Sequence, residues 1–397
     1  MRRRVGLVLL LIAVAAGAVN YLRPIPAAVP TSLRPAATVI KGTAPNLPWP
    51  SHGSAAVGAQ GIGFIASSGN EQAIPAASVT KVMTALVVLK DKPLQKGQSG
   101  PIITMTEEDV RAYQLDLQSQ QSVVKVEVGE PLTELQVLEG MLIPSANNLA
   151  ETIARWDAGS ATTFVDKMNA RAVALHLSHT RFTDTSGASP GSVSTPTDLL
   201  ALGMAAMQDP VLAQVVALEQ VDLPVAGVVY NVNAALAHDG IFGIKTGSGL
   251  DSGANFLFAA NATVDSHTIV VYGCVMGQPT LDAAFSAAES LITAVSSALH
   301  VQRVLERNQT VAIYNTAWGE QADAVSLFDV DLVEWPGMVL RERLEAPPLA
   351  VDKPLASSTR TGVEHVTLGD YSFDVSLATA NPLFPPGRFW RLTRVAV

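Results

Sequence analysis

The chain has 397 residues, 48% of them hydrophobic, which is enough to build about two packed domains. Its 35 acidic against 26 basic residues leave a formal charge of −9, which argues against nucleic acid as a partner. A single cysteine excludes an internal disulfide.

The chain opens on Arg2-Arg3-Arg4 followed by the apolar stretch Val5 to Val19, the pattern of a targeting segment over residues 1–22. Basic residues ahead of the apolar core keep the N-terminus in the cytoplasm and place the rest of the chain outside it. The core is slightly short for a full span, and Ala16-Gly17-Ala18 would serve as a cleavage site. A secreted chain and one held on the cytoplasmic membrane by an uncleaved segment are therefore both open. Residues 23–47 carry Pro24, Pro26, Pro30, Pro35 and Pro45 among Ala, Ser and Thr, which predicts an extended linker.

Residues 48–301 carry the chemistry. Ser78-Val79-Thr80-Lys81 opens an apolar run to Leu89 that ends at Lys90-Asp91-Lys92-Pro93, a buried helix with Ser78 at its N-terminus and Lys81 one turn on. An amine in reach of the hydroxyl can take its proton, and the free N–H groups of a helix start can face an oxyanion. The plain alternative is an N-cap serine and a solvated lysine. A serine three residues before a lysine arises by chance about once or twice in a chain this long. Ser122-Val123-Val124-Lys125 has that form too, but it lies in a period-two pattern that predicts a strand, with the two side chains on opposite faces. Ser68-Gly69-Asn70 imitates the next motif but sits in a Gly/Ser turn ahead of Ser78.

From Leu132 to Glu151 apolar residues recur at helical spacing on both sides of Pro144, which predicts helix, tight turn, helix. Such a turn presents Ser145 and Asn147 of Ser145-Ala146-Asn147 to one cleft; a simple N-cap is the alternative. Further on, Ile241 to Gly249 reads as a strand that carries Lys245-Thr246-Gly247, with 255–260 and 268–276 as neighbouring strands. A free strand edge can pair with an extended peptide. Lys245 and Thr246 would meet a substrate carboxylate, and the Ser248 N–H would join that of Ser78 as an oxyanion donor. Lys-Thr-Gly alone arises by chance in roughly one such chain in ten, so the ordered triple is far more specific than its parts. Together the three motifs read as a serine acyl-transfer site.

The run Leu281 to Val301 predicts a closing helix, and 302–397 then breaks into short β-rich runs at 310–314, 323–327, 362–368 and 371–375. Arg388 to Arg394 reads as a final strand, with a membrane-touching stretch as the alternative. Cys274 falls inside an apolar strand as a small buried residue. His176 and His179 have no third clustered ligand, so no metal is expected, and no motif calls for a cofactor.

On these motifs the chain resembles the low-molecular-mass penicillin-binding proteins, the serine D-alanyl-D-alanine carboxypeptidases that share the penicillin-recognising fold with class A β-lactamases. The likeness runs from about Pro48 to His300 and includes Pro75–Ala85, Gly140–Ala150, Met168-Asn169, Thr180–Asp184 and Gly243–Gly247. It implies an α/β (α+β) β-lactamase/transpeptidase-like domain, an antiparallel sheet flanked by helices, followed by a small C-terminal β domain. It further implies Ser78 as acylated nucleophile, Lys81 as its base, Ser145 and Asn147 as proton relay and substrate contact, and Lys245 as carboxylate binder, with Thr246, Gly247 and Ser248 beside it. The implied reaction removes the terminal D-alanine from peptidoglycan stem peptides, with β-lactams acylating the same serine. Ala146 stands where the family usually has glycine, and Ser248-Gly249 replaces a bulkier residue and a threonine, which bears on stem-peptide preference. A β-lactamase is disfavoured because no Glu-x-x-Leu-Asn follows Ser145, and a non-catalytic wall-binding or sensor protein is disfavoured by three intact motifs.

Overall fold

A computed structural model describes residues 2–69 and 72–394, so Met1, Asn70 of the Ser68-Gly69-Asn70 turn and the last three residues of the expected β domain lie outside the described residues. The chain divides into two compact units, Ala44–His300 and Met1–Thr43 with Val301–Val397.

Among the described residues of the first unit, an antiparallel sheet runs in the order Ile241–Gly249, Gly253–Val264, His267–Gln278, Ser54–Ala59, Gly63–Ser67. Its central strands are apolar almost continuously rather than alternately, because helices cover both faces. Phe256 and Leu257, adjacent and hence on opposite faces, show this. The Phe256 ring meets Phe285 of the Leu281–Ala298 helix edge-on at 4.9 Å, while Leu257 lies so close to Gly203 of the Pro196–Ala206 helix that a Cβ there would be 2.8 Å from it. Gly273, paired with Phe258, leaves room for that ring, since a Cβ would stand 2.2 Å from it.

The Thr80–Asp91 helix is buried from Thr80 to Leu89, as its apolar run predicts, and stops ahead of Pro93. Helices Glu134–Leu142 and Asn147–Ala158 flank the expected break; the first starts in a capping box of Thr133 with Gln136. Asp109 of the Glu107–Gln118 helix accepts from Thr152 (2.6 Å) and Arg155 (2.6 Å), which fixes that helix to Asn147–Ala158. The segment after it, expected to be a strand around Ser122–Lys125, joins no ladder among the described residues. Val124 and Val126 are buried and Lys125 exposed, so the alternation is real, but the Asn148 amide stands in for a partner strand, bonding Val124 N and O at 3.1 and 2.9 Å.

In the second unit, strands run Val29–Ser32, Thr310–Asn315, Gln321–Ser326, Tyr371–Thr379, Arg360–Leu368, Val339–Glu345, Ala37–Val39. Both outer strands come from the segment expected to be a linker. Edge positions tolerate Pro30 and leave side chains exposed, so no apolar alternation marked them. Arg34 between them reaches the buried Glu342 at 2.6 Å. The helix expected to continue to Val301 ends at Ala298, and His300–Leu305 instead pairs with Val330–Glu334. Arg388–Thr393 is a short helix, not the expected strand. Its partners are remote in sequence: Arg394 donates to the Asn20 carbonyl at 2.8 Å, and Arg391 lies over the Tyr21 ring at 4.3 Å. Both belong to the end of the N-terminal helix Arg2–Leu22, whose Leu10, Leu11, Ile12 and Val14 are exposed. No single helix among the described residues is long and apolar enough to cross a membrane.

Replacing Phe256 by Ala should destabilise the first unit by about 3–5 kcal/mol, since the helix beneath cannot close the space; chemical unfolding of the purified variant beside the parent measures this.

Candidate active site

Ser78 sits in a single 3₁₀ turn, Ala77–Val79, that leads into the Thr80–Asp91 helix. Two sheet contacts hold the turn. Asn255 Nδ2 donates to the Pro75 carbonyl at 3.0 Å while its Oδ1 accepts from Gly277 N at 2.9 Å, fastening the approach to Ser78 to the sheet. Gly247 comes so near that a Cβ would lie 3.0 Å from both Ala76 O and Ser78 N. On the other side Gly187, at φ +82°, leaves no room for a side chain against the Ala77 carbonyl.

Lys81 is fully buried, and its Nζ donates to Ser78 Oγ at 2.8 Å, Asn147 Oδ1 at 2.6 Å and the Ser186 carbonyl at 2.9 Å. Three acceptors match the three hydrogens of an ammonium. Burial holds its pKa well below the usual lysine range, and the charge of Lys245 pushes the same way, against Asp184 and Asp116. A lysine so placed can give up its proton and take one from the serine it touches.

Ser145 follows Pro144 with φ 69°, and its buried Oγ has no hydrogen-bond partner among the described residues. Asn147, two residues on and the first of the Asn147–Ala158 helix, has its amide fixed at both ends: Oδ1 accepts from Lys81, and Nδ2 donates to Gln121 Oε1 at 3.1 Å. Lys245 is buried on the end strand of the sheet, where burial lowers its pKa to about 7, and its Nζ donates to the Thr246 carbonyl at 3.0 Å.

A cleft of about 580 Å³ opens between these elements, lined by Ser78, Ser145, Asn147, Thr246, Gly247 and Ser248. The cleft thus brings Ser78, Ser145, Asn147, Thr246, Gly247 and Ser248 together; Lys81 lies beneath it, bonded to Ser78 and Asn147, and Lys245 is buried behind Thr246 and does not line it. Sequence reasoning missed several others. Gln120, Gln121 and Ser122 form part of the rim, so the serine of the chance Ser122–Lys125 match reaches the cleft although its lysine pairs with Glu127 on the exposed surface. Asp251 also lines the cleft. The Ser186 carbonyl is a backbone group and leaves no side-chain signature; only the family-like Thr180–Asp184 block pointed to its neighbourhood.

The D-alanyl-D-alanine carboxypeptidase profile, Peptidase S11, matches residues 56–280. A D-alanyl-D-alanine endopeptidase of Pseudomonas aeruginosa is 35% identical over 163 residues, 41% of this chain and 49% of that protein. A D-alanyl-D-alanine carboxypeptidase of Mycobacterium tuberculosis is 37% identical over 146 residues, 36% of this chain and 46% of that one. The chain thus spans about half the length of these relatives. Penicillin binding protein 5 from Haemophilus influenzae superposes with a TM-score of 0.62 at 19% identity, over 87% of this chain and 100% of that one. The Streptomyces K15 DD-transpeptidase gives 0.55 at 24%, over 64% and 98%. Both share the penicillin-binding DD-transpeptidase fold with this chain, and the first also covers its C-terminal β-sheet region.

Gly247→Ala should slow acylation of Ser78 by a serine-directed reagent about tenfold or more, because either the strand or the nucleophile turn must shift. Mass spectrometry of the acylated protein against time checks the rate, and thermal unfolding close to that of the parent separates the effect from misfolding.

Proposed function

The chain belongs to the D-alanyl-D-alanine carboxypeptidase family, Peptidase S11, and we propose that within it the chain is a serine D,D-carboxypeptidase that trims the terminal D-alanine from peptidoglycan stem peptides. The family is one of serine D,D-peptidases of the cell envelope that act on peptidoglycan peptides and bind penicillins, and the apolar N-terminal helix agrees with export. The observation that carries the reading is the 2.8 Å bond between Ser78 Oγ and a buried Lys81 amine of lowered pKa.

Neutral Lys81 takes the Ser78 proton as Oγ bonds to the carbonyl carbon of the penultimate D-alanine. The Ser78 and Ser248 N–H groups receive the oxyanion. As the C–N bond breaks, the proton passes from Lys81 through Ser145 to the leaving amine, and D-alanine departs. Water then adds to the ester; its proton goes to the base, and Ser78 regains a hydroxyl as the acid product leaves. Lys245 and Thr246 hold the terminal carboxylate, and Asn147 contacts the acyl chain. A β-lactam places its ring carbonyl at the same serine and leaves slowly. An endopeptidase acting on cross-links is the second reading, favoured by the Pseudomonas aeruginosa relative.

The full-length protein should release D-alanine from a peptide ending in D-Ala-D-Ala, and Ser78→Ala should release none and take no covalent penicillin. Penicillin labelling of Ser78→Ala would overturn the assignment. Lys81→Ala should lower acylation by about 10²–10⁴. Cleavage of a cross-linked dimer with no release of terminal D-alanine would select the endopeptidase.

The pH response has two parts. Acylation should rise with pH as Lys81 loses its proton. Lys245 is cationic below about 7 and neutral above, so KM for a carboxylate-bearing peptide should climb above that pH, whereas KM for the corresponding C-terminal amide stays level.

A further inference from the structure

Asp184 is half-buried and carries a concentration of donors. Its Oδ2 accepts from Ser186 N (3.2 Å), Ser186 Oγ (2.9 Å), Gly187 N (2.8 Å) and Ala188 N (2.9 Å), and its Oδ1 accepts from Ser192 Oγ. Three consecutive N–H groups turned onto one oxygen make an anion-holding nest. The turn so folded closes on the nucleophile helix from two points. The Thr185 carbonyl accepts from Thr84 Oγ1 at 2.6 Å, and the Ser186 carbonyl accepts from Lys81 Nζ at 2.9 Å. Gly187 completes the contact against Ala77.

We propose that Asp184 is a positioning residue for Lys81, placing the amine through the Ser186 carbonyl and favouring its charged form through the carboxylate. Asp184 does not itself line the cleft, although Gly187 and Ala188, which donate to it, do; it reaches Lys81 through the Ser186 carbonyl. The charged groups that face Lys81 are Lys245 from the end strand, Asp116 from the Glu107–Gln118 helix and Asp184 from this turn. Asp116 is itself pushed up to about 6, by burial first and then by Glu151, so its charge fades just below neutral pH. Above that pH Asp116 and Asp184 share the acidic side of the balance, and below it Asp116 drops out. The use of Lys81 as a base rests on the acyl-transfer reading above; its placement by Asp184 does not.

Asp184→Asn keeps the shape and an acceptor for the three N–H groups while removing the charge. Its amide faces Ser192 Oγ, which already accepts from Thr183 N at 3.0 Å and Asp184 N at 3.3 Å, so the bond from Ser192 to Oδ1 is given up while the three N–H bonds to the other oxygen are kept. The test follows the Lys81 Cε resonance in ¹³C-lysine-labelled full-length protein across pH, assigned with Lys81→Ala, beside the acylation rate by a chromogenic β-lactam. The Lys81 midpoint and the acidic limb of acylation should both move down by about one pH unit in Asp184→Asn, with the plateau rate within about tenfold of the parent. Asp184→Ala should lose about a hundredfold in acylation at every pH. An unmoved midpoint in Asp184→Asn overturns the electrostatic half, and parent-like acylation by Asp184→Ala overturns the geometric half. If Asn does not sustain the fold, Ser192→Ala keeps the charge while removing one donor to it and the acceptor of Thr183 N and Asp184 N: acylation falls about tenfold with the midpoint fixed, and a moved midpoint or an unchanged rate contradicts the proposal. A parent that no β-lactam acylates would sink the acyl-transfer reading, while the resonance titration would still decide the role of Asp184.

Discussion

A fully buried amine must find an acceptor for each of its hydrogens, and this demand on Lys81 organises the first unit. Its three acceptors come from three separated parts of the chain: the turn that opens its own helix, the helix after Pro144, and the loop beyond Asp184. None of these segments can relax without stranding a donor. The same confinement that makes the amine costly also lowers its proton affinity, and a second buried lysine deepens the effect. Stability and reactivity thus draw on one piece of geometry. The unpaired Ser145 hydroxyl belongs to the same picture, since it is a buried polar atom facing a space that a substrate group would fill.

The sheet supplies the rigidity this requires. Covered on both faces, its central strands have no freedom to slide, and the end strand carrying Lys245 inherits a fixed register, with Lys245 opposite Leu257 and Gly247 opposite Asn255. Asn255 then reaches sideways to the Pro75 carbonyl, so one residue ties the strand, the sheet and the approach to Ser78 together. Small residues mark the close approaches: Gly247 and Gly187 flank the nucleophile turn as a pair of jaws, and a methyl group on either would prise it open.

Much of this was legible in the chain. Ser78, Lys81, Ser145, Asn147 and Lys245 announced themselves because side-chain chemistry and spacing coincide, and the Thr80–Asp91 helix and the three long strands followed from their apolar patterns. What stayed hidden was backbone and context. The Ser186 carbonyl has no letter of its own. Gln121 looks like any exposed glutamine until Asn147 is seen to need an acceptor. The Val29–Ser32 and Ala37–Val39 strands lie at sheet edges where burial imposes no alternation. The Arg388–Thr393 helix has aromatic and basic residues that suit a strand equally well; its partners at Asn20 and Tyr21 decide the outcome.

Those edge strands give the β-rich unit an unusual order of assembly. Arg34 and Glu342, joined side chain to side chain, are separated by 308 positions, and the whole enzyme-like unit is spliced between them. During synthesis the intervening unit has all of its own strands in hand while the flanking one still lacks most of its sheet. The early strands must wait as an unpaired tether, rich in proline and so a poor partner for wrong pairings. A nascent chain halted near residue 300 would hold the intervening unit complete while the flanking sheet still lacked its later strands, and that sheet would close only when they emerged.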